Sequence, residues 1–301
     1  MAEIAADATG AITLGSPEAP KLITQRQRAI RTFVSNRTAL FGVVLILAIV
    51  FVAVAAPLLA PHDPLDQSVR NRLAPPSFDY PLGRDDKGRD ILSRVIYGTR
   101  IALMVGFFSV LIGGALGTVI GVAAGYFGGK VDAVLMRLTD ILLAFPDLIT
   151  GLLVLAVLGP GLWKMVIAIG LTIAPRFARI AYGPTLAVKG KEFVEAARSV
   201  GVRDGRLLRI HILPNISGDL VVFASLWTAS AIRLEASLSF VGLGVAPPTP
   251  TWGQMIREGT INLTQVPLYS LGPGLALLVT VFAFNLVGDG LRDVLDPKAR
   301  A

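Results

Sequence analysis

Residues 39–60 read ALFGVVLILAIVFVAVAAPLLA, an apolar run without a single charged side chain. At about 1.5 Å of rise per residue, a helix of this length crosses a hydrocarbon core of roughly 30 Å. Lipid offers backbone N–H and C=O groups no partner, so a spanning segment must bond within itself, as a helix does. The run starts too late and is too long for a cleavable signal peptide, and it reads as an uncleaved first span. The rest of the chain has the same character. Its 301 residues are 53% hydrophobic and 16% charged, with a mean hydropathy of +0.66, beyond the usual range for a soluble domain.

Five further runs, 101–126, 134–158, 165–186, 220–241 and 271–291, are bounded by Gly, Pro or charged residues. They complete an all-α membrane protein of six transmembrane helices. The expected organisation is a tail at 1–38, the first span at 39–60 and a connecting segment at 61–100. A five-helix core follows at 101–291, interrupted by a polar segment at 187–215, and a short tail closes the chain at 292–301. In the second span Gly113, Gly117, Gly121 and Gly125 recur at four-residue spacing. Such spacing lets helix backbones approach closely in lipid, which predicts tight packing within one bundle.

Lys and Arg set the orientation. The stretch 176–215 carries Arg176, Arg179, Lys189, Lys191, Arg198, Arg203, Arg206 and Arg209, whereas 242–270 carries only Arg257. The polar segment and both termini are therefore expected in the cytoplasm. The segment 61–100 runs against this count with Arg70, Arg72, Arg84, Lys87, Arg89, Arg94 and Arg100 on the outer side, but long segments weigh little in the rule. The net charge of +7 thus belongs to the loops and to anionic membrane lipid, not to nucleic acid.

The chain has no cysteine, and His62 and His211 lie far apart, so no metal-ligand spacing is present. No nucleophile and base fall into a catalytic arrangement, and a non-catalytic role is expected. Nor is there a GxxxxGK[ST] loop to cradle a nucleotide. Asp140 and Asp147 flank Pro146 inside the third run, the one feature that would suit an autonomous ion-driven transporter.

Residues 191–215 read KEFVEAARSVGVRDGRLLRIHILPN. Phe193, Ala196, Ala197 and Val200 fall at helical spacing on one face, Gly201 is placed to stop the helix, and Asp204 to cap a second helix ending before Pro214. The face is mostly alanine, which suits a protein groove better than a lipid surface.

Glu195-Ala196-Ala197, then Gly201 and Leu213-Pro214, resembles the EAA signature of ATP-binding-cassette importer permeases, with His211 at a position that is usually aliphatic. Residues 61–100, 234–256 (LEASLSFVGLGVAPPTPTWGQMI) and 284–297 (FNLVGDGLRDVLDP) look like the second, C-type permease subunit of the dipeptide, oligopeptide and nickel importers. The resemblance implies a multi-pass protein of the bacterial inner membrane that forms a path for peptides, or for nickel or another small solute. It further implies a heterodimer with a homologous second permease, two ATPase subunits that bind ATP and Mg, and an extracytoplasmic solute-binding protein. By the same resemblance Phe193, Glu195, Ala196, Ala197, Gly201, Leu213 and Pro214 contact the ATPase. Pro81, Leu82, Gly83, Arg89, Asp90 and Trp252 are the candidates for contact with the binding protein. Trp252 also suits a membrane-water interface.

Overall fold

A computed structural model describes residues 33–295; the remainder of the two expected tails, 1–32 and 296–301, lies outside the described residues. Among the described residues the chain is helical, with a single isolated bridge between Arg84 and Asp90 and no strand. Five helices are long and apolar enough to cross a membrane, or six when one bent pair counts as a span.

The first span divides in two. Helix α1 (Arg37–Val54) starts at Asn36, whose side chain accepts the Thr38 and Ala39 N–H groups at 3.1 Å each. It stops at Ala55, and a short α2 (Ala56–Leu59) restarts with Pro57 in its first turn, where a missing N–H costs nothing. The second span is longer than its apolar run, since α3 runs Ile91–Phe127. The charged residues 91–100 read as loop, but Arg94 is wholly buried and its Nη1 donates to the Pro64 carbonyl at 3.0 Å, which lets the helix begin early.

The third expected span, 134–158, is not one helix. Helices α4 (Gly129–Leu143) and α5 (Asp147–Leu158) meet at 98°. Pro146 cannot continue a helix and pushes its predecessor out of helical conformation, so the chain turns at Ala144–Pro146. Helix α6 (Leu162–Lys189) keeps its prolines inside. Helices α9 (Leu213–Val241) and α11 (Leu268–Leu295) complete the bundle, and α10 (Trp252–Ile261) lies between them. Helix α11 thus continues into the expected 292–301 tail.

The glycines of α3 do what their spacing predicts. A Cβ on Gly113, Gly117 or Gly121 would stand 2.4, 2.2 or 2.1 Å from the carbonyl oxygens of Gly170, Ala174 and Ala178 on α6. The two backbones are in direct contact, with Ile169, Ile173 and Phe177 buried around them. The seam runs along α3, whose first turns bond to the 61–90 segment through Arg94 and Pro64 and whose last turn, at Tyr126, reaches Asp204 in the 191–214 segment.

Candidate functional site

At the Tyr126 end, helix α7 (Glu192–Ser199) is short and ends in a Schellman turn. Gly201 has φ +81°, the Val202 N–H bonds the Ala197 carbonyl at 3.1 Å, and the Gly201 N–H bonds Arg198 at 2.9 Å. The glycine is therefore required by conformation, with open space where a Cβ would sit. A second short helix, α8 (Asp204–Leu207), follows.

The expected second helix does not stop before Pro214. It passes through one π-helical turn, Leu208–Ile212, directly into α9, with Pro214 in the first turn of α9. The wider turn relieves the clash that a proline ring makes with the carbonyl four residues back, so the helix survives its proline. Asp204 is also not the cap. Arg203 holds that position, and Asp204 instead accepts a short hydrogen bond from the Tyr126 hydroxyl.

Val194 fixes the orientation of α7. It is buried among Tyr126, Val188, Leu207 and Ile212, and Ala197 packs at the edge of that cluster. Phe193, Glu195, Ala196 and Val200 point outward, and so do Leu213 and Pro214. The alanine-rich face seen in the sequence is therefore not the face that folds the protein. Val200 is 81% exposed and Phe193 43%, a solvent-facing apolar strip on a helix held from behind. His211 stands with its ring 6.0 Å from that of Phe193, joining the two arms of the turn. The Arg198 guanidinium lies 5.6 Å over the Tyr126 ring. Its pKa is raised, first by its interaction with the Tyr126 hydroxyl and then by Asp204 and Glu195.

Sequence reasoning missed Val194. Its signal was the i, i+3 pair with Ala197, obscured by the longer apolar stripe on the outward face.

The other end of α3 is built differently. Asp85, Arg89, Asp90 and Arg94 are all at most 2% exposed. Asp85 accepts from the Lys87 and Arg89 N–H groups at 2.8 and 2.9 Å and from Arg89 Nε at 2.6 Å. Asp90 caps α3, accepting the Ser93 N–H at 2.9 Å. Arg89 Nη2 lies 3.7 Å from both Asp86 and Glu258, and the Tyr269 hydroxyl donates to Glu258. These contacts tie 83–90 to α10 and α11. Trp252 is 1% exposed, seated against Gly98, with its Nε1 donating to the Val95 carbonyl at 3.0 Å.

Four of the six residues expected to contact the binding protein are buried in this structure. Arg89, Asp90 and Trp252 hold the segment together. Gly83 is also enclosed, its φ of +82° forming a tight turn against Ala74, while Pro81 is exposed and Leu82 partly so.

The two carboxylates beside Pro146 are also accounted for. Asp147 pairs with Arg176 at 2.6 Å, and Asp140 makes a close ion pair with Arg179, so each arm of the elbow is tied to α6. Carboxylates engaged in this way fit a structural clamp on the bent pair.

Comparison with known proteins agrees with this architecture. Residues 117–301 match the family described as the inner membrane component of binding-protein-dependent transport systems, and residues 24–76 match the N-terminal transmembrane domain of oligopeptide transport permease C. The chain is 42% identical over 272 residues to a glutathione transport system permease protein of Pectobacterium atrosepticum, covering 90% of each chain. It is 38% identical over 275 residues to a dipeptide transport system permease protein of Alkalihalophilus pseudofirmus, covering 91% of this chain and 90% of that one. Among solved structures, an inward-facing MetNI methionine ABC transporter shares the fold, with a TM-score of 0.57 at 19% identity over 68% of this chain and 98% of that one. The chain belongs to the family of inner-membrane permease components of binding-protein-dependent ABC transport systems.

Proposed function

We propose that this permease forms half of the translocation path of an ATP-driven importer of small peptides. The other half is a homologous permease. Two separate ATPase subunits bind ATP and Mg, and an extracytoplasmic binding protein delivers the solute. Both termini and the 187–215 segment lie in the cytoplasm in this reading, where α7 docks on an ATPase through Phe193, Glu195, Ala196, Ala197, Gly201, Leu213 and Pro214. The observation that carries the proposal is the exposed apolar strip on α7, held from behind by buried Val194. A rigid helix with small outward side chains seats in a protein cleft, and rigid attachment lets it pass on the cleft's motion. Ala197, half-turned toward the core, serves the fold as much as the contact. The peptide class is supported by relatives named for dipeptide and glutathione transport, both of which are small peptides.

The test is uptake of labelled dialanine by proteoliposomes containing the full complex. ATP-dependent, binding-protein-dependent uptake that nickel does not compete is expected. Uptake driven by an ion gradient without ATP would overturn the energetic assignment, and competition by nickel alone would overturn the peptide assignment.

A further inference from the structure

Arg233 has no role in the fold described so far. It lies inside the span Asp204–Val241, about 12 Å below the Val241 end at 1.5 Å of rise per residue. Its side chain is exposed, and Nη2 donates to the Ser230 hydroxyl at 3.0 Å. Among the described residues no carboxylate lies within ion-pairing distance of it. Nearby acids are occupied: Glu235 is buried on the opposite face with Ser239, and Asp147 is held by Arg176.

Arg233 lines a cleft of about 450 Å³ together with Leu148, Ser237, Phe240, Gly253 and Leu277. A mostly apolar cleft of this volume with one charged group suits a small organic solute. A cation left unpaired inside a span is costly unless it faces a path or a partner, and here it faces a cavity of solute size. Gly253, which follows the Trp252 that bonds Val95, puts this part of the cleft at the same end of the bundle as the 61–90 segment. Leu148 brings the start of α5, next to Asp147, to the same cleft.

We propose that Arg233 is the anion-receiving residue of the translocation path, its guanidinium taking the C-terminal carboxylate of the peptide as it enters the cleft. Guanidinium and carboxylate match as a two-pronged pair, and the mostly apolar lining offers the carboxylate few competing partners. Ser237 and Phe240 leave the rest of the site undemanding about side chains, as a path for many peptides requires. This inference rests on the peptide reading of function.

The experiment compares uptake of trialanine and of trialanine amide by proteoliposomes holding the full complex and one unchanged binding protein. Wild type is expected to favour the free acid. R233Q is expected to assemble with the second permease and to lower the acid-to-amide ratio about tenfold, the loss of one charged pair. R233K, which keeps the charge but not the two-pronged geometry, is expected to fall between wild type and R233Q. An unchanged ratio in R233Q, an equal loss of both peptides, or failure of R233Q to co-purify with the second permease would each overturn the proposal. The last outcome would show that Arg233 pairs with that subunit. Failure of wild type to transport either peptide would instead overturn the peptide reading.

Discussion

The two ends of α3 carry similar sequence signals and opposite structures. Around Lys191–Pro214 most motif residues point outward and the fold depends on Val194, which the motif does not contain. Around Gly83–Asp90 the charged motif residues point inward and bond to one another. Motif membership therefore says that a residue matters and leaves open how. Burial decides: an outward apolar strip awaits a partner, whereas an inward ion network has already found its own.

The sharpest way to break this comparison is to remove a charge from the inward network. Asp85→Ala strands Arg89 and Arg94 without their shared carboxylate. Removing one partner of a buried pair costs about 3–5 kcal/mol. The variant is expected to accumulate poorly and to melt earlier in detergent than wild type. A melting temperature equal to wild type would mean that the network is not holding the segment.

At the other end the same kind of change should spare the fold. Ala196→Asp adds a charge to an exposed position beside buried Val194. Its melting temperature should match wild type, while ATPase subunits no longer co-purify and peptide uptake falls about tenfold or more, since the docked carboxylate is desolvated without a partner. Ala196 is the better probe than Ala197, because Ala197 packs on the Val194 cluster and a charge there would disturb both fold and docking. Intact ATPase association in Ala196→Asp would remove the case for this face.

Gly201→Ala should produce a smaller effect. The substitution meets no neighbouring atom, so its whole cost is that of holding a Cβ at φ +81°, about 1–2 kcal/mol. That strain falls on the local turn, and hydrogen exchange of the 192–202 amides should quicken while the α3–α6 seam is unaffected.

How much of this was legible follows the same division. Apolar length found the bundle, and the glycine spacing of α3 predicted its seam, because both signals are local and periodic. The 98° elbow reads as one span in the sequence because Pro146 sits in an otherwise continuous apolar run, and nothing local says how far the chain turns. Residues 91–100 read as loop because charge ordinarily means solvent. Arg94 is covered by Pro64 and Asp85, contacts far enough away in the chain to leave no local trace. The exposed strip on α7 was visible as a stripe, but which face of the helix turned outward depended on Leu207 and Ile212, supplied by the next helix.

Trp252→Phe is the mildest change and the one that best separates holding from contact at the inward end. The indole N–H donates to the Val95 carbonyl at 3.0 Å, but that carbonyl also accepts from the Thr99 hydroxyl at 3.2 Å, so it keeps a partner when the indole is gone. A phenyl ring still covers Gly98, and the loss should lie at the low end of the range for a neutral hydrogen bond, about 0.5 kcal/mol. Because Trp252 is 1% exposed, binding-protein-dependent delivery should be unchanged within error in an uptake assay with the full complex. A loss of delivery without a loss of melting temperature would place the indole at the partner surface after all, and the inward end of α3 would then open when the binding protein docks.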